Sequence, residues 1–213
     1  MNTAAQRVLD NFIVLEGLDG SGTTTQLELV TRALVDHDVP AVATYEPTAG
    51  PVGGLIREIL TGKKTVSPRT LARLFAADRE EHLSAPEAGI ETLLAAGRLV
   101  ICDRYLFSSL AYQSLETDFE YILSLNRGFP LPSIVIYIDT PVAVCAERRR
   151  RRGSTELFDD SEIQERVSRG YERALAAYRD APLAIERVDG TLDPEKIRDR
   201  IWTILSSLPI VKG

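Results

Sequence analysis

Five short apolar runs alternate with longer amphipathic stretches: NFIVLE (11–16), AVATY (41–45), RLVIC (98–102), SIVIYI (133–138) and LAIERV (183–188). Runs nearly continuous in Val, Ile and Leu read as strands buried on both faces. Strands that alternate with helical stretches make a parallel sheet with helices on either side. The intervening pattern predicts helices over 23–36, 52–60, 68–96, 105–127, 141–151, 160–180 and 193–207. Pro86 should break the third of these, and Asp193-Pro194 should start the last. Pro and Gly cluster at 47–54 and 128–132, which read as loops. No internal repeat or long linker divides the 213 residues, so the expectation is one α/β domain over 1–213 with a five-stranded parallel sheet.

The first run leads into Gly17-Leu18-Asp19-Gly20-Ser21-Gly22-Thr23-Thr24-Thr25. A phosphate-binding loop reads G-x-x-x-x-G-K-[ST] between a strand and a helix. Gly17, Gly20, Ser21 and Gly22 suit it, and Thr24 holds the position of the hydroxyl that reaches Mg²⁺. Thr23 stands where the lysine belongs. Backbone N–H groups and a helix N-terminus can still cradle an anion without it. A plain glycine-rich turn is the bland alternative. A dinucleotide fingerprint requires G-x-G-x-x-G, which glycines at 17, 20 and 22 do not satisfy.

The formal net charge is −6. Such a surface repels nucleic-acid polymers and directs attention to local clusters of Arg. Cys102 and Cys145 have no C-x-x-C partner or nearby His and read as reduced core thiols. The opening MNTAAQRVLDNF lacks the apolar core of a signal peptide. No apolar run approaches the ~20 residues that cross a bilayer. The expected location is cytoplasmic.

Several segments, in order, resemble the thymidylate kinase (dTMP kinase) family in its bacterial form. FIVLEGLDGSGTTTQ is similar to the family opening, apart from the missing lysine. Glu46-Pro47-Thr48 followed by GPVGGLIREIL resembles E-P-x-x…G-x-x-I-R. LFAADREEHL (74–83) resembles L-F-x-A-D-R-x-x-H, and DRYLFSSLAYQ (103–113) resembles D-R-Y-x-x-S-S-x-A-Y-Q. ERRRRRG (147–153) stands where the family has a basic lid, about 147–160.

The resemblance implies a P-loop fold and transfer of a phosphoryl group from ATP to dTMP. It implies Mg²⁺ held by Thr24 and Asp103, and a homodimer. ATP would lie on Gly17, Gly20, Ser21, Gly22, Thr23, Thr24 and Thr25. Arg57 and Arg104 would meet the monophosphate, and Asp19 the sugar and phosphate. Ser108, Ser109, Tyr112 and Gln113 would contact thymine and deoxyribose, with Glu46 and Pro47 also in the substrate site. Asp19, Asp103, Arg104, Arg148, Arg149 and Arg152 would form the catalytic set.

The residues carry physical logic of their own. Phe75 can offer a flat face to a pyrimidine, and Arg79, one turn on, can reach a base carbonyl; Phe75 can equally be a helix core residue. Arg57 suits a phosphate fork or a solvated helix face. Asp103 ends an apolar strand, where it can hold Mg²⁺ or its waters, or cap the next helix. The arginine run can be a solvated helix end. With the loop lysine absent, however, it is the dense source of cations that phosphoryl transfer needs. The alternatives left open are a nucleotide-binding homologue with little turnover and a kinase for another nucleoside or monophosphate.

Overall fold

The computed structural model describes residues 6–152 and 161–212. Five parallel strands form one sheet in the order β2-β3-β1-β4-β5: β1 (Val8–Gly17), β2 (Ala41–Tyr45), β3 (Leu99–Asp103), β4 (Leu131–Asp139) and β5 (Ala184–Asp189). β1 is central and pairs with both β3 and β4. Its side chains alternate between the two faces, as a strand requires. Phe12 and Val14 enter a core shared with Tyr105, Phe107 and Tyr171, while Ile13 and Leu15 enter one shared with Leu27, Val30 and Ile201. The second core lies under α1 (Thr23–Asp36) and α9 (Pro194–Leu205), which bury Leu34, Ile197 and Leu205 there.

β1 begins earlier than its apolar run. Asp10 and Asn11 interrupt the hydrophobic pattern, yet Val8 pairs with Leu131 ahead of them. A register shift between Leu9 and Ile13 absorbs the polar residues, and Asn11 adopts φ 58°, a conformation Asn tolerates.

The long stretch expected over 68–96 divides into α3 (Pro68–Ser84) and α4 (Ile90–Ala95). Ala85, which precedes Pro86, has ψ 130°, the extended conformation that proline imposes on its predecessor. The stretch 105–127 becomes α5 (Leu106–Tyr112), a 3₁₀ turn at Gln113–Leu115 and α6 (Phe119–Asn126), which Asp118 caps through Tyr121 N–H. α7 (Val142–Arg152) and α8 (Ser161–Ala177) follow β4. A short α10 (Pro209–Lys212), absent from the sequence expectation, closes the chain. Cys102 and Cys145 are buried free thiols. Among the described residues no helix is long and apolar enough to cross a membrane.

α2 (Pro51–Leu60) turns back against the loop that leaves β2. Thr48 in that loop is fixed by Asp78, which accepts from its N–H at 2.7 Å and its hydroxyl at 2.6 Å. A Cβ on Gly53 would stand 2.0 Å from the Thr48 carbonyl oxygen, so only glycine lets α2 approach this closely. Gly53→Ala should therefore cost ~1–3 kcal/mol of stability. Urea unfolding should show a lower midpoint at unchanged m-value; an unaltered midpoint would contradict this packing.

Candidate active site

The carboxyl ends of β1, β2 and β3 open onto one crevice, the usual ligand position in an open α/β sheet. β1 delivers the glycine loop into α1. Gly20 and Gly22 have φ 91° and 105°, conformations that suit glycine. At Gly20 space matters as well, since a Cβ would meet the Cys145 carbonyl oxygen of α7 at 2.7 Å. Thr23 and Ser21 are buried in this loop, and the Ser21 hydroxyl has no hydrogen-bond partner.

Thr24 donates its hydroxyl to Asp103 Oδ2 at 2.6 Å. Asp103 Oδ1 is buried without a partner. A hydroxyl beside a carboxylate with one oxygen unused fits a hard cation such as Mg²⁺, which takes one or two protein oxygens and completes its shell with phosphates and water.

A cavity of about 400 Å³ lies beside this pair. Asp19, Glu46, Pro47, Arg57, Phe75, Arg79, Arg104, Ser108, Ser109, Tyr112 and Gln113 all line it, so residues far apart in sequence share one chamber. Arg104 has φ 71°, and its N–H donates to the Leu15 carbonyl. Its guanidinium donates to Asp19 Oδ1 at 2.6 Å, to Ser108 Oγ at 3.2 Å and to the Tyr171 hydroxyl at 3.1 Å. Arg57 is folded onto the loop after β2, donating to the Thr48 carbonyl at 2.6 and 2.7 Å. Gln113 presents a buried Oε1 with no partner.

Arg79 is buried, and much of its capacity is spent on protein. It donates to Glu46 Oε2 at 2.6 and 3.0 Å, to Ser109 Oγ at 3.1 Å and to Asn126 Oδ1. Tyr105 and Phe129 flank its guanidinium at 4.7 and 5.6 Å. These contacts use four of the five N–H groups a guanidinium carries. His82 Nδ1 lies 3.1 Å from Glu46 Oε1, and its Nε2 lies 2.6 Å from Thr44 Oγ1.

A second cavity of about 370 Å³ lies on the other side of the glycine loop. Ser21, Gly22 and Thr25 line it together with Arg148, Arg151 and the turn Thr191–Pro194 that follows β5. Arg148 donates to the carbonyls of Ser21 (3.1 Å) and Gly190 (2.9 Å), and Arg149 to that of Asp19. Arg150 and Arg151 are instead exposed and paired with Glu147. The Arg152 side chain and residues 153–160 of the expected lid lie outside the described residues.

The family sequence model for thymidylate kinase matches residues 15–201. The chain belongs to the thymidylate kinase family. It is thus a phosphotransferase with the P-loop kinase fold. A Treponema pallidum (strain Nichols) protein bearing the thymidylate kinase name is 42% identical over 197 residues, covering 91% of this chain and 94% of the relative. A Thermococcus kodakarensis protein of the same name is 36% identical over 207 residues, covering 92% and 98%. One from Methanococcus aeolicus is 40% identical over 164 residues, covering 76% and 78%.

Four polar residues at the site escaped the sequence reading: Glu16, His82, Gln164 and Tyr171. Gln164, in α8, donates to Asp19 Oδ2 at 3.2 Å. Glu16 and His82 stand at polar positions of the quoted family segments but were given no role, while the only signal from Gln164 and Tyr171 was polarity within an amphipathic helix. The turn at 191–194 carried a clearer one, since it follows a strand at the same sheet edge.

The Arg79–Glu46 pair is buried on both sides, at 1% and 3% side-chain exposure. Glu46→Ala would leave a guanidinium uncompensated in the interior, with an expected loss of ~3–5 kcal/mol. Glu46→Gln, which retains an acceptor, should lose less. Comparing the two variants in urea unfolding checks this; equal stability of Glu46→Ala and the parent would refute the pairing.

Proposed function

We propose that this chain transfers the γ-phosphoryl group of ATP to dTMP, releasing ADP and dTDP. The observation that carries the reading is that one glycine loop forms a wall of both cavities. Two nucleotides could then meet across it with their phosphates facing.

In this reading ATP occupies the smaller cavity, its phosphates on the N–H groups of residues 17–25 and its base beside Arg148 and the 191–194 turn. dTMP occupies the larger one. Phe75 faces thymine, the remaining Arg79 N–H reaches a base carbonyl, and Tyr112 with Asp19 borders deoxyribose. Arg104 and Arg57 hold the monophosphate, whose fork geometry suits Arg. Ser108, Ser109 and Gln113 complete the wall. A dTMP phosphate oxygen forms a bond to the γ-phosphorus as the bond to the β–γ bridging oxygen breaks. No general base is needed, because the monoester is largely ionised near neutral pH. Mg²⁺ bound with ATP, at Thr24 and through Asp103, would neutralise phosphate charge. Resemblance to the family further supports a cytoplasmic homodimer and a basic lid of the bacterial type.

Thr23 makes the source of positive charge the open part of this mechanism. Arg148 and Arg149 are the proposed replacements for the loop lysine, because both already donate to carbonyls of the loop. Arg152 belongs to the same proposal by its place in the run.

Two measurements test the reading. ADP formation from ATP should depend on dTMP, and Arg104→Ala should raise the dTMP KM about tenfold or more, a loss of ~1.4 kcal/mol, with the ATP KM nearly unchanged. Equal loss for both substrates would assign Arg104 to the wrong cavity. Separately, Arg148→Ala or Arg149→Ala should lower kcat about tenfold or more, and Thr23→Lys should partly restore it. Binding of both nucleotides without dTMP-dependent turnover would favour a nucleotide-binding homologue.

A further inference from the structure

Glu16 lies near the carboxyl end of β1, is completely buried, and lines neither cavity. Its Oε1 accepts from the N–H groups of Tyr105 (2.9 Å) and Ser108 (3.2 Å). Its Oε2 accepts from Ser108 Oγ (2.6 Å) and lies 3.0 Å from the Tyr171 hydroxyl. The same hydroxyl is 2.8 Å from Ser108 Oγ and 3.0 Å from the Gly17 carbonyl. Arg104 donates to both Ser108 and Tyr171. The cluster therefore joins the start of the phosphate loop, α5 and α8 to the arginine assigned to the acceptor phosphate.

Counting hydrogens exposes a shortage. Four oxygen–oxygen contacts link Glu16 Oε2, Ser108 Oγ, the Tyr171 hydroxyl and the Gly17 carbonyl. Two hydroxyls contribute one hydrogen each, so an ionised Glu16 leaves two of these contacts with lone pairs facing. A proton on Oε2 fills a third: Glu16 donates to Ser108, Ser108 to Tyr171, and Tyr171 to the Gly17 carbonyl. Burial pushes the Glu16 carboxyl up to about 7, against the lowering influence of Ser108, Arg104 and Tyr105. Burial, with the Glu16 charge, also holds Tyr171 well above its usual value, so it remains a phenol.

We propose that Glu16 is a positioning residue that, with Ser108 and Tyr171, holds one proton behind Arg104, and that this proton is taken up from solvent when a phosphate monoester docks on Arg104. The inference rests on the functional reading above, in which that monoester is dTMP. Arg104 is already shared with Asp19 at 2.6 Å. A docking dianion draws on the same guanidinium and repels a second carboxylate behind it, so binding favours neutral Glu16. By linkage, protonation of Glu16 favours binding by the same factor. The charged and titratable groups around Glu16 are Arg104 on the loop after β3, Cys102 and Asp103 in β3, Tyr105 before α5, Tyr171 in α8, Tyr137 across β4, Arg79 in α3 and Asp19 in the phosphate loop. His82 faces Glu46 rather than Glu16.

The test is calorimetry of dTMP binding at pH 7.5 in two buffers of different ionisation enthalpy, on the parent and on Glu16→Gln. The parent should take up about half a proton more per dTMP than the variant. Binding with equal proton counts overturns the linkage alone; no binding of dTMP to the parent overturns the functional reading as well. A ligand-free measurement adds an independent arm. Because the Glu16 pKa is raised, the stability it lends is whole below pH ~4.5 and is lost as pH rises through about 7. Gln carries no such loss, so the Tm of Glu16→Gln relative to the parent should climb between pH 5 and 8. A constant difference overturns the shared proton. Should Glu16→Gln fail to fold, the parent alone decides. At pH 7.5 the dTMP phosphate is already mostly dianionic and has little proton to release, so zero net uptake overturns the proposal.

Discussion

The 2.6 Å contact between Asp19 and Arg104 joins the two halves of the site. Asp19 belongs to the loop after β1, and Arg104 to the loop after β3. The two can meet because β1 and β3 are parallel neighbours that end at the same edge of the sheet. Arg104 reaches Asp19 from a left-handed backbone conformation, stabilised by its N–H bond to the Leu15 carbonyl. The other polar atoms of Asp19 are also engaged. Gln164 of α8 donates to Oδ2, Arg149 of α7 donates to the carbonyl, and the Asp19 N–H donates to the Tyr112 hydroxyl. Sheet order thus decides which charges face each other, and α7 and α8 each place one side chain, Arg149 and Gln164, on Asp19 at the wall of the larger cavity.

The wall opposite is built from buried charge. Arg79, Glu46 and His82 sit in the interior, and Asn126, Ser109 and Thr44 take most of their remaining hydrogen-bonding capacity. Such a network adds little net stability over an apolar core of equal volume. It is costly to break, however, and its geometry is fixed when every member is satisfied. The planar fork of Arg lets one side chain make four bonds, two to Glu46 and one each to Ser109 and Asn126, where the ammonium of Lys has three donors on a single nitrogen. The side chain at the cavity wall is thereby held in place by groups on three other elements. In the proposed function, preorganisation of that kind would favour recognition of a flat base over tolerance of many shapes.

Much of this was legible in the sequence, and the omissions have a common cause. Apolar runs located all five strands, but only β1, β3 and β4 are buried along most of their length; the edge strands β2 and β5 are mostly half-buried or exposed. The start of β1 was hidden by Asp10 and Asn11, whose accommodation in a register shift depends on the partner strand β4. At the candidate site, Asp103 was readable as a carboxylate at a strand end, while Asp19, Arg104 and Glu46 were placed by resemblance to the family. Glu16 and Tyr171 were neither, since each occupies a core position of a regular element. Only the fold brings their oxygens within 3.0 Å of each other. Arg79 was placed at the cavity, but its bonds to Glu46 and Asn126 require α3, the loop after β2 and α6 to converge, which no local pattern encodes.

Thr23, at the position where the loop pattern calls for lysine, bears directly on the proposed mechanism. A lysine would bring charge to the phosphate loop from its own backbone. In the proposed mechanism charge would arrive from α7 instead, along a route that depends on Gly20. A Cβ there would lie 2.7 Å from the Cys145 carbonyl and 3.2 Å from Arg149 Cγ, so any other residue would push α7 and its arginine stem away from the loop. The acceptors chosen matter too. Arg148 bonds to the neutral carbonyls of Ser21 and Gly190, and no carboxylate among the described residues cancels its charge. Arg150 and Arg151, on the exposed side of the same helix, are neutralised by Glu147. Within the run, among the described residues, Arg148 donates only to neutral carbonyls, whereas Arg151, which also lines the second cavity, is paired with Glu147. Loop glycine and helix arginine thus pack as one unit, and in the proposed mechanism the neighbouring helix would take on the electrostatic task of a loop lysine.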